Sequence, residues 1–160
     1  MAEPLRVLTL NTGRNEGAYF ERLRLMIAGL QAARADILLL QECFLDQDGG
    51  IDTARSIAEA LGLQYVQFPT RERERTLYGE PVLSSAGLAI VTRGAFGQWT
   101  SLTLPTSPED GGRFVQIAEI TLDGRRLLVA NTHLTHLADG QQLRLAQLDE
   151  VFAGRRGFFT

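Results

Sequence analysis

Residues 36–42, Asp-Ile-Leu-Leu-Leu-Gln-Glu, decide how the rest of the chain is read. Four consecutive apolar residues between polar ends are too short a run for a helix. They fit a strand buried on both faces, of the kind found where helices cover a sheet. This reading places a strand over 36–41 that ends at Glu42. Upstream, 16–33 repeats at helical spacing, with Tyr19, Leu23, Ile27 and Leu30 on one stripe and Arg22, Arg24 and Arg34 off it, facing solvent. Before that helix, 5–10 (LRVLTL) is an apolar run closed by Asn11-Thr12-Gly13, a strand ending in a turn.

Downstream, 46–50 (DQDGG) reads as a loop. Asp52 is the natural N-cap of a helix through Ile57, Ala58 and Leu61, with Gly62 just past its end. A strand follows over 63–68. Residues 69–85 read as one long irregular segment in which Arg71, Arg73 and Arg75 alternate with Glu72 and Glu74. The simplest account of that alternation is a solvated, self-compensating run, although long loops in compact domains often carry function. Four strands are expected at 87–92 (GLAIVT), 99–104, 114–121 and 126–132, the last two joined by the hairpin signal Asp123-Gly124. A final helix over 141–152 places Leu145, Leu148 and Phe152 on one face and stops at Gly154. The order is β-α-β-α-β, then a meander and a helix. It predicts an α/β fold with a mixed sheet and helices on one face.

Composition narrows the chemistry. A chain of 160 residues predicts a single domain, 1–160. A hydrophobic content of 44% supplies a core and excludes wholesale disorder. The net charge of −3 gives no global basic field for non-specific nucleic-acid binding, which leaves only a local basic pocket. All 16 basic residues are arginine, so the lysine of a Walker loop, a kinase or a Schiff-base enzyme has no counterpart. The single cysteine, Cys43, excludes an intrachain disulfide and a cysteine-built zinc site. It also fits a reducing, cytoplasmic setting. The two histidines, His133 and His136, are too few for a three-histidine metal site and fall on opposite faces of a strand. No apolar run approaches the ~20 residues of a membrane span.

Polar residues that end apolar strands present side chains to a cleft. Asn11 ends the first strand and Glu42 the second; Asn131 and His133 end the last and share a face. Each also has a plainer reading. Asn11 before Thr-Gly is an ordinary turn residue. Glu42 suits a solvated strand terminus, and His133 suits a hydrogen-bonded structural role.

Taken together these residues resemble a known pattern. LTLNT at 8–12, LLLQE at 38–42, SAGLAIVTR at 85–93 and ANTHL at 130–134 look like the endonuclease/exonuclease/phosphatase superfamily, in order and over nearly the whole chain. The helix carrying Arg144 and Gln147 resembles the one that follows the Asn-Thr-His-Leu strand in that family. The resemblance implies metal-dependent hydrolysis of phosphodiesters or phosphomonoesters with Mg²⁺ or Mn²⁺, hard cations that favour carboxylate oxygen. It implies that Glu42 is the metal ligand, assisted by Asn11. His133 would contact the scissile phosphate and stabilise its developing charge, and Asn131 would hold the local geometry beside the substrate. The expected partner is a phosphate ester, either nucleic acid or a phospholipid headgroup. The Asn-Thr-His-Leu form resembles the deadenylase and sphingomyelinase branches more than the abasic-site nucleases.

The family's fold is a four-layer α/β/β/α sandwich. Its Gly-Asp-x-Asn segment, source of a water-activating Asp, and its Ser-Asp-His segment, source of a catalytic His, have no counterpart in these 160 residues. The resemblance therefore implies an amino-terminal half of the sandwich, truncated at its C-terminus. Such a half is expected to bind metal weakly or not at all and, without those two groups, to be essentially inactive on the family's substrates. It would leave several hundred Å² of apolar sheet uncovered and would pair as a two-fold homodimer through that face. The alternative reading is a non-catalytic α/β module that self-associates through the open sheet. Asn11, Glu42 and His133 are expected to converge at one edge of a single sheet.

Overall fold

The computed structural model describes residues 4–48 and 50–154, so Gly49 of the expected 46–50 loop lies outside the described residues. The chain divides into two compact units, Met1–Ala95 and Phe96–Thr160.

The first unit contains β1 (Val7–Asn11), α1 (Tyr19–Ala33), β2 (Ile37–Asp46), α2 (Thr53–Leu61), β3 (Gln64–Phe68), β4 (Arg73–Leu77) and β5 (Glu80–Thr92). The strands form one sheet in the order β1-β2-β5-β3, with β4 also paired to β5. The β1–β2 pair is parallel and the others are antiparallel, so the sheet is mixed as expected. Strand β2, between β1 and β5, is buried on both faces, which is what an unbroken Ile-Leu-Leu-Leu run specifies. Leu38, Leu40, Ala89 and Val91 share a core with Tyr19, Leu23 and Leu30 of α1 and Ile57 and Ala58 of α2. At ~1.5–3 kcal/mol per large buried side chain, this stripe-on-sheet contact holds the helices in place. Asp52 caps α2 by accepting the Arg55 backbone N–H at 3.0 Å, and Gly62 ends that helix in the left-handed region at φ 66°.

Three features of this unit differ from the sequence reading. First, β2 does not stop at Gln41 but continues to Asp46 through an irregularity between Leu40 and Cys43. Second, 69–85 is not irregular, because β4 and the first half of β5 form a hairpin there. Its turn, Tyr78-Gly79, has positive φ at both residues (51° and 91°), the geometry that hairpins favour. Tyrosine at the first turn position hides that signal. Third, Arg22 is not a solvent residue. Its guanidinium donates to the carbonyls of Gly13 (3.1 Å), Arg14 (2.7 Å) and Glu16, and so ties down the β1–α1 loop.

The second unit is a β6-β7-β8 meander with one helix, built from β6 (Ala95–Leu104), β7 (Arg113–Leu122), β8 (Arg125–Thr132) and α3 (Gln141–Gly154). The Asp123-Gly124 hairpin is as expected, with φ of 50° and 75°. The meander forms its own sheet instead of extending the first one. Helix α3 turns a different face inward than its apolar residues indicate. Leu145 and Phe152 are exposed, whereas Gln147 and Val151 are buried. A polar contact sets this rotation: the Gln147 amide accepts the Thr135 backbone N–H at 2.9 Å and donates to the Pro105 carbonyl at 2.8 Å. Leu104, Val115, Ile117 and Val151 form the local core.

Cys43 lies in the first core, where burial pushes its thiol up to about 12 against a weaker opposing hydrogen bond from Thr12. The thiol therefore stays protonated across the ordinary pH range. Native protein should not react with a disulfide reagent at pH 8, and one thiol should appear on unfolding in guanidinium.

Candidate functional site

Asn11 ends β1, and the parallel register sets it opposite Gln41, beside Glu42, which lies not at the end of β2 as expected but in its middle. Between Leu40 and Cys43, β2 advances three residues while β5 advances two, from Ala89 to Gly87. The extra residue is a bulge, and Glu42 sits in it at φ +55°. Left-handed backbone is uncommon for a residue with a Cβ, and such strain persists only where the surroundings hold it. The hold is visible here. The Thr12 hydroxyl lies 3.0 and 2.9 Å from the Gln41 and Glu42 carbonyl oxygens, and the Thr12 and Arg14 backbone N–H groups donate to the same two carbonyls at 2.8 and 3.1 Å. The bulge re-aims Glu42, so that its half-buried carboxylate ends 3.4 Å from Arg14 Nε.

Thr12 went unnoticed in the sequence because threonine after a strand-ending Asn looks like any turn residue. Thr12→Val should cost about 1–2 kcal/mol by leaving buried carbonyls short of a donor. Chemical denaturation would measure the loss, and the Glu42 amide signal should shift in the same variant.

Around Glu42 the charges are dense. Arg14 is also ion-paired to exposed Glu16. Arg75 donates to the Ser84 carbonyl at 2.6 Å and hydroxyl at 3.0 Å. Burial lowers the pKa of the Arg75 guanidinium, the nearby positive Arg14 lowers it further, and Glu42 works in the opposite direction. Asn11 also keeps its turn role, since its side-chain oxygen accepts the Gly13 N–H at 2.8 Å. The donor set for a cation is therefore one carboxylate and one amide oxygen. Among the described residues no group of three or more His, Cys, Asp or Glu gathers around a point.

Asn131 and His133 belong to the second unit, at the end of β8, so Asn11, Glu42 and His133 do not stand on one sheet as expected. Asn131 is buried and faces Gln116 across the ladder. His133 is half-buried just past β8, and its carbonyl accepts from Arg113 at 3.4 Å. Arg113 also grips buried Asp110 (2.7 Å) and the ring Nδ1 of exposed His136 (2.7 Å). Arg144 donates to the Leu137 carbonyl at 2.9 Å, fixing the segment that follows His133. Sequence reasoning missed Asp110, in a Pro-Glu-Asp-Gly-Gly stretch that reads as a plain turn, and Arg113, which directly follows it.

Burial pushes the Asp110 carboxyl up, but donors from Arg113, Thr135 and Gln147 outweigh it and hold it below the ordinary 3.8. A carboxyl depressed on folding contributes stability that is complete above its unfolded value and is lost as pH falls through the folded one. The unit should therefore loosen below about pH 4. Asp110→Asn should flatten that acid limb of the denaturation curve.

No protein-family model and no curated protein matches the chain. Solved structures do. An endonuclease/exonuclease/phosphatase from Beutenbergia cavernae is similar at 25% identity and a TM-score of 0.75, over 92% of this chain and 43% of its own. The human Nocturnin catalytic domain with bound sulfate is similar at 22% identity and a TM-score of 0.74, over 97% of this chain and 58% of its own. TDP2 of D. rerio, complexed with a single-strand DNA product, is similar at 18% identity and a TM-score of 0.69, over 95% and 54%. The chain thus spans about half the length of the structures it matches. Among the described residues, no helix is long and apolar enough to cross a membrane.

Proposed function

The chain has the fold of the endonuclease/exonuclease/phosphatase superfamily, and from that premise we propose that it serves metal-dependent hydrolysis of phosphate esters, nucleic acid among them. The observation that carries the reading is the strained, over-determined bulge that presents Glu42 beside Asn11. Glu42, with the Asn11 oxygen, would hold a Mg²⁺ or Mn²⁺ ion, and a single carboxylate suits a cation that keeps most of its ligands as water and substrate phosphate. When bound, that ion supplies charge neutralisation at the phosphoryl oxygens. By the resemblance His133 would contact the scissile phosphate, and Asn131 would hold the local geometry beside it. The fixed dipoles of the Thr12 loop spare the carboxylate from reorganising during the reaction.

A generic activated diester, bis(p-nitrophenyl) phosphate, tests the reading. Its leaving group departs without a proton, so turnover does not depend on a general acid. Mg²⁺-dependent release of p-nitrophenol that EDTA abolishes, and that falls in His133→Ala, is the expected result. No metal-dependent turnover, together with concentration-dependent association in sedimentation velocity, would instead favour the self-associating module.

A further inference from the structure

The alternating Arg–Glu run at 71–75 looks self-neutralising in sequence, but its structure separates the two signs. Within β4, successive side chains alternate between faces, so Arg73 and Arg75 share one face and Glu74 takes the other. Burial follows the same division. Arg75 is half-buried and Leu77 buried on the first face, while Glu74 and Thr76 are exposed on the second. The loop that carries Arg14 is seated on β4, where the Asn15 side-chain amide donates to the Thr76 carbonyl at 2.7 Å, and Arg75 next to it feels the charges of both Arg14 and Glu42. Among the described residues Arg75 is anchored through one guanidinium nitrogen, on the carbonyl and hydroxyl of buried Ser84. Arg14 Nε is buried and makes no hydrogen bond among the described residues, its Glu42 contact at 3.4 Å being an ion pair without hydrogen-bond geometry. The charges at this spot are Arg14 and Arg75 beside Glu42, with the exposed Glu16 paired to Arg14 at its edge. Two guanidinium groups crowd a single inner carboxylate.

We infer that Arg14 and Arg75 form an anion subsite beside Glu42, which takes a phosphate group of a phosphate ester. Guanidinium forks match phosphate oxygens in geometry and bind them with charge-assisted hydrogen bonds. A phosphate there relieves the Arg14–Arg75 repulsion and fills the donor capacity that Glu42 leaves open. The place of this subsite in catalysis rests on the phosphoesterase reading, but the binding itself does not.

The test is an NMR titration of the 160-residue chain with inorganic phosphate in the presence of EDTA, repeated with the dinucleoside monophosphate TpT. Saturable shifts are expected at residues 14 and 75 and their neighbours. Loss of one charge-assisted contact should weaken binding about tenfold or more in Arg75→Gln and in Arg14→Gln. Glu42→Gln should tighten binding, because it removes the competing carboxylate. Tighter binding of inorganic phosphate than of TpT assigns a terminal phosphate, and equal binding assigns a bridging one. Unchanged amide dispersion in each variant separates a lost contact from a lost fold. The absence of saturable binding, or binding that survives both arginine substitutions, would overturn the subsite. Metal is absent throughout, so this outcome is independent of whether Mg²⁺-dependent turnover is found.

Discussion

Glu42→Gln should lower Mg²⁺-dependent turnover of bis(p-nitrophenyl) phosphate by on the order of 10²–10⁴-fold, the rate equivalent of several kcal/mol of lost metal stabilisation. The substitution keeps size and hydrogen-bonding reach and removes only the charge. The backbone clamp on the bulge, made by Thr12 and Arg14 through main-chain carbonyls, is untouched. Stability should therefore change little, and the loss should lie in the metal step. Mn²⁺ gives an independent reading: the ion should broaden amide signals at 11–14 and 41–43 in the parent and not in the variant. Broadening that persists in Glu42→Gln would remove Glu42 from the metal site.

The second large effect is on stability. Gly87 sits on β5 opposite Cys43, at the closing side of the bulge. A Cβ placed there would collide with the carbonyl oxygen of Phe68 and come within 2.9 Å of Pro69 Cα, both of them backbone atoms at the end of β3. Main chain cannot swing aside as a long side chain can. Gly87→Ala therefore has to part β3 from β5 where Phe68 pairs with Leu88, and it should cost about 3 kcal/mol or more. A thermal melt would show the drop. A shift of under a degree would mean that the strands separate freely here.

The sequence disclosed the elements whose burial is one-sided or complete. The Ile37–Leu40 run, the Tyr19/Leu23/Leu30 stripe, the Asp52 and Gly62 caps and the Asp123-Gly124 turn are local signals, and each lies where expected. What stayed hidden depended on partners distant in sequence. The β4–β5 hairpin was masked by a tyrosine in its turn and by charges that read as solvated. The rotation of α3 follows from Gln147 reaching Thr135 and Pro105, and periodicity cannot register a polar side chain turned inward. The candidate site divides in the same way. Asn11 was legible as a strand end; Glu42 was singled out as one although β2 runs past it to Asp46, and the bulge that sets it apart, with Thr12, Arg14 and Arg75, was not legible. A positive φ at a glutamate and a charge run sorted by pleating exist only once the sheet is assembled.

The pairing of β2 with β5 also orders events in time. β7 and β8 meet across a two-residue turn and can close as soon as they exist. β2 finds β1 behind it, but its ladder with β5 runs from Asp46↔Ser84 to Ile37↔Thr92. At ~5–20 residues per second, synthesis from Asp46 to Thr92 takes roughly 2–9 s. Through that interval the Ile-Leu-Leu-Leu segment has α1 for one face and no strand for its free edge, the condition under which apolar, uncharged, β-prone runs stick to one another. Asp36 at one end and Glu42 and Asp46 at the other bracket the run with negative charge. The acid at position 42 thus guards the nascent strand before it has any site to serve. Neutral substitutions there should raise the yield of insoluble protein even where the finished fold is no less stable.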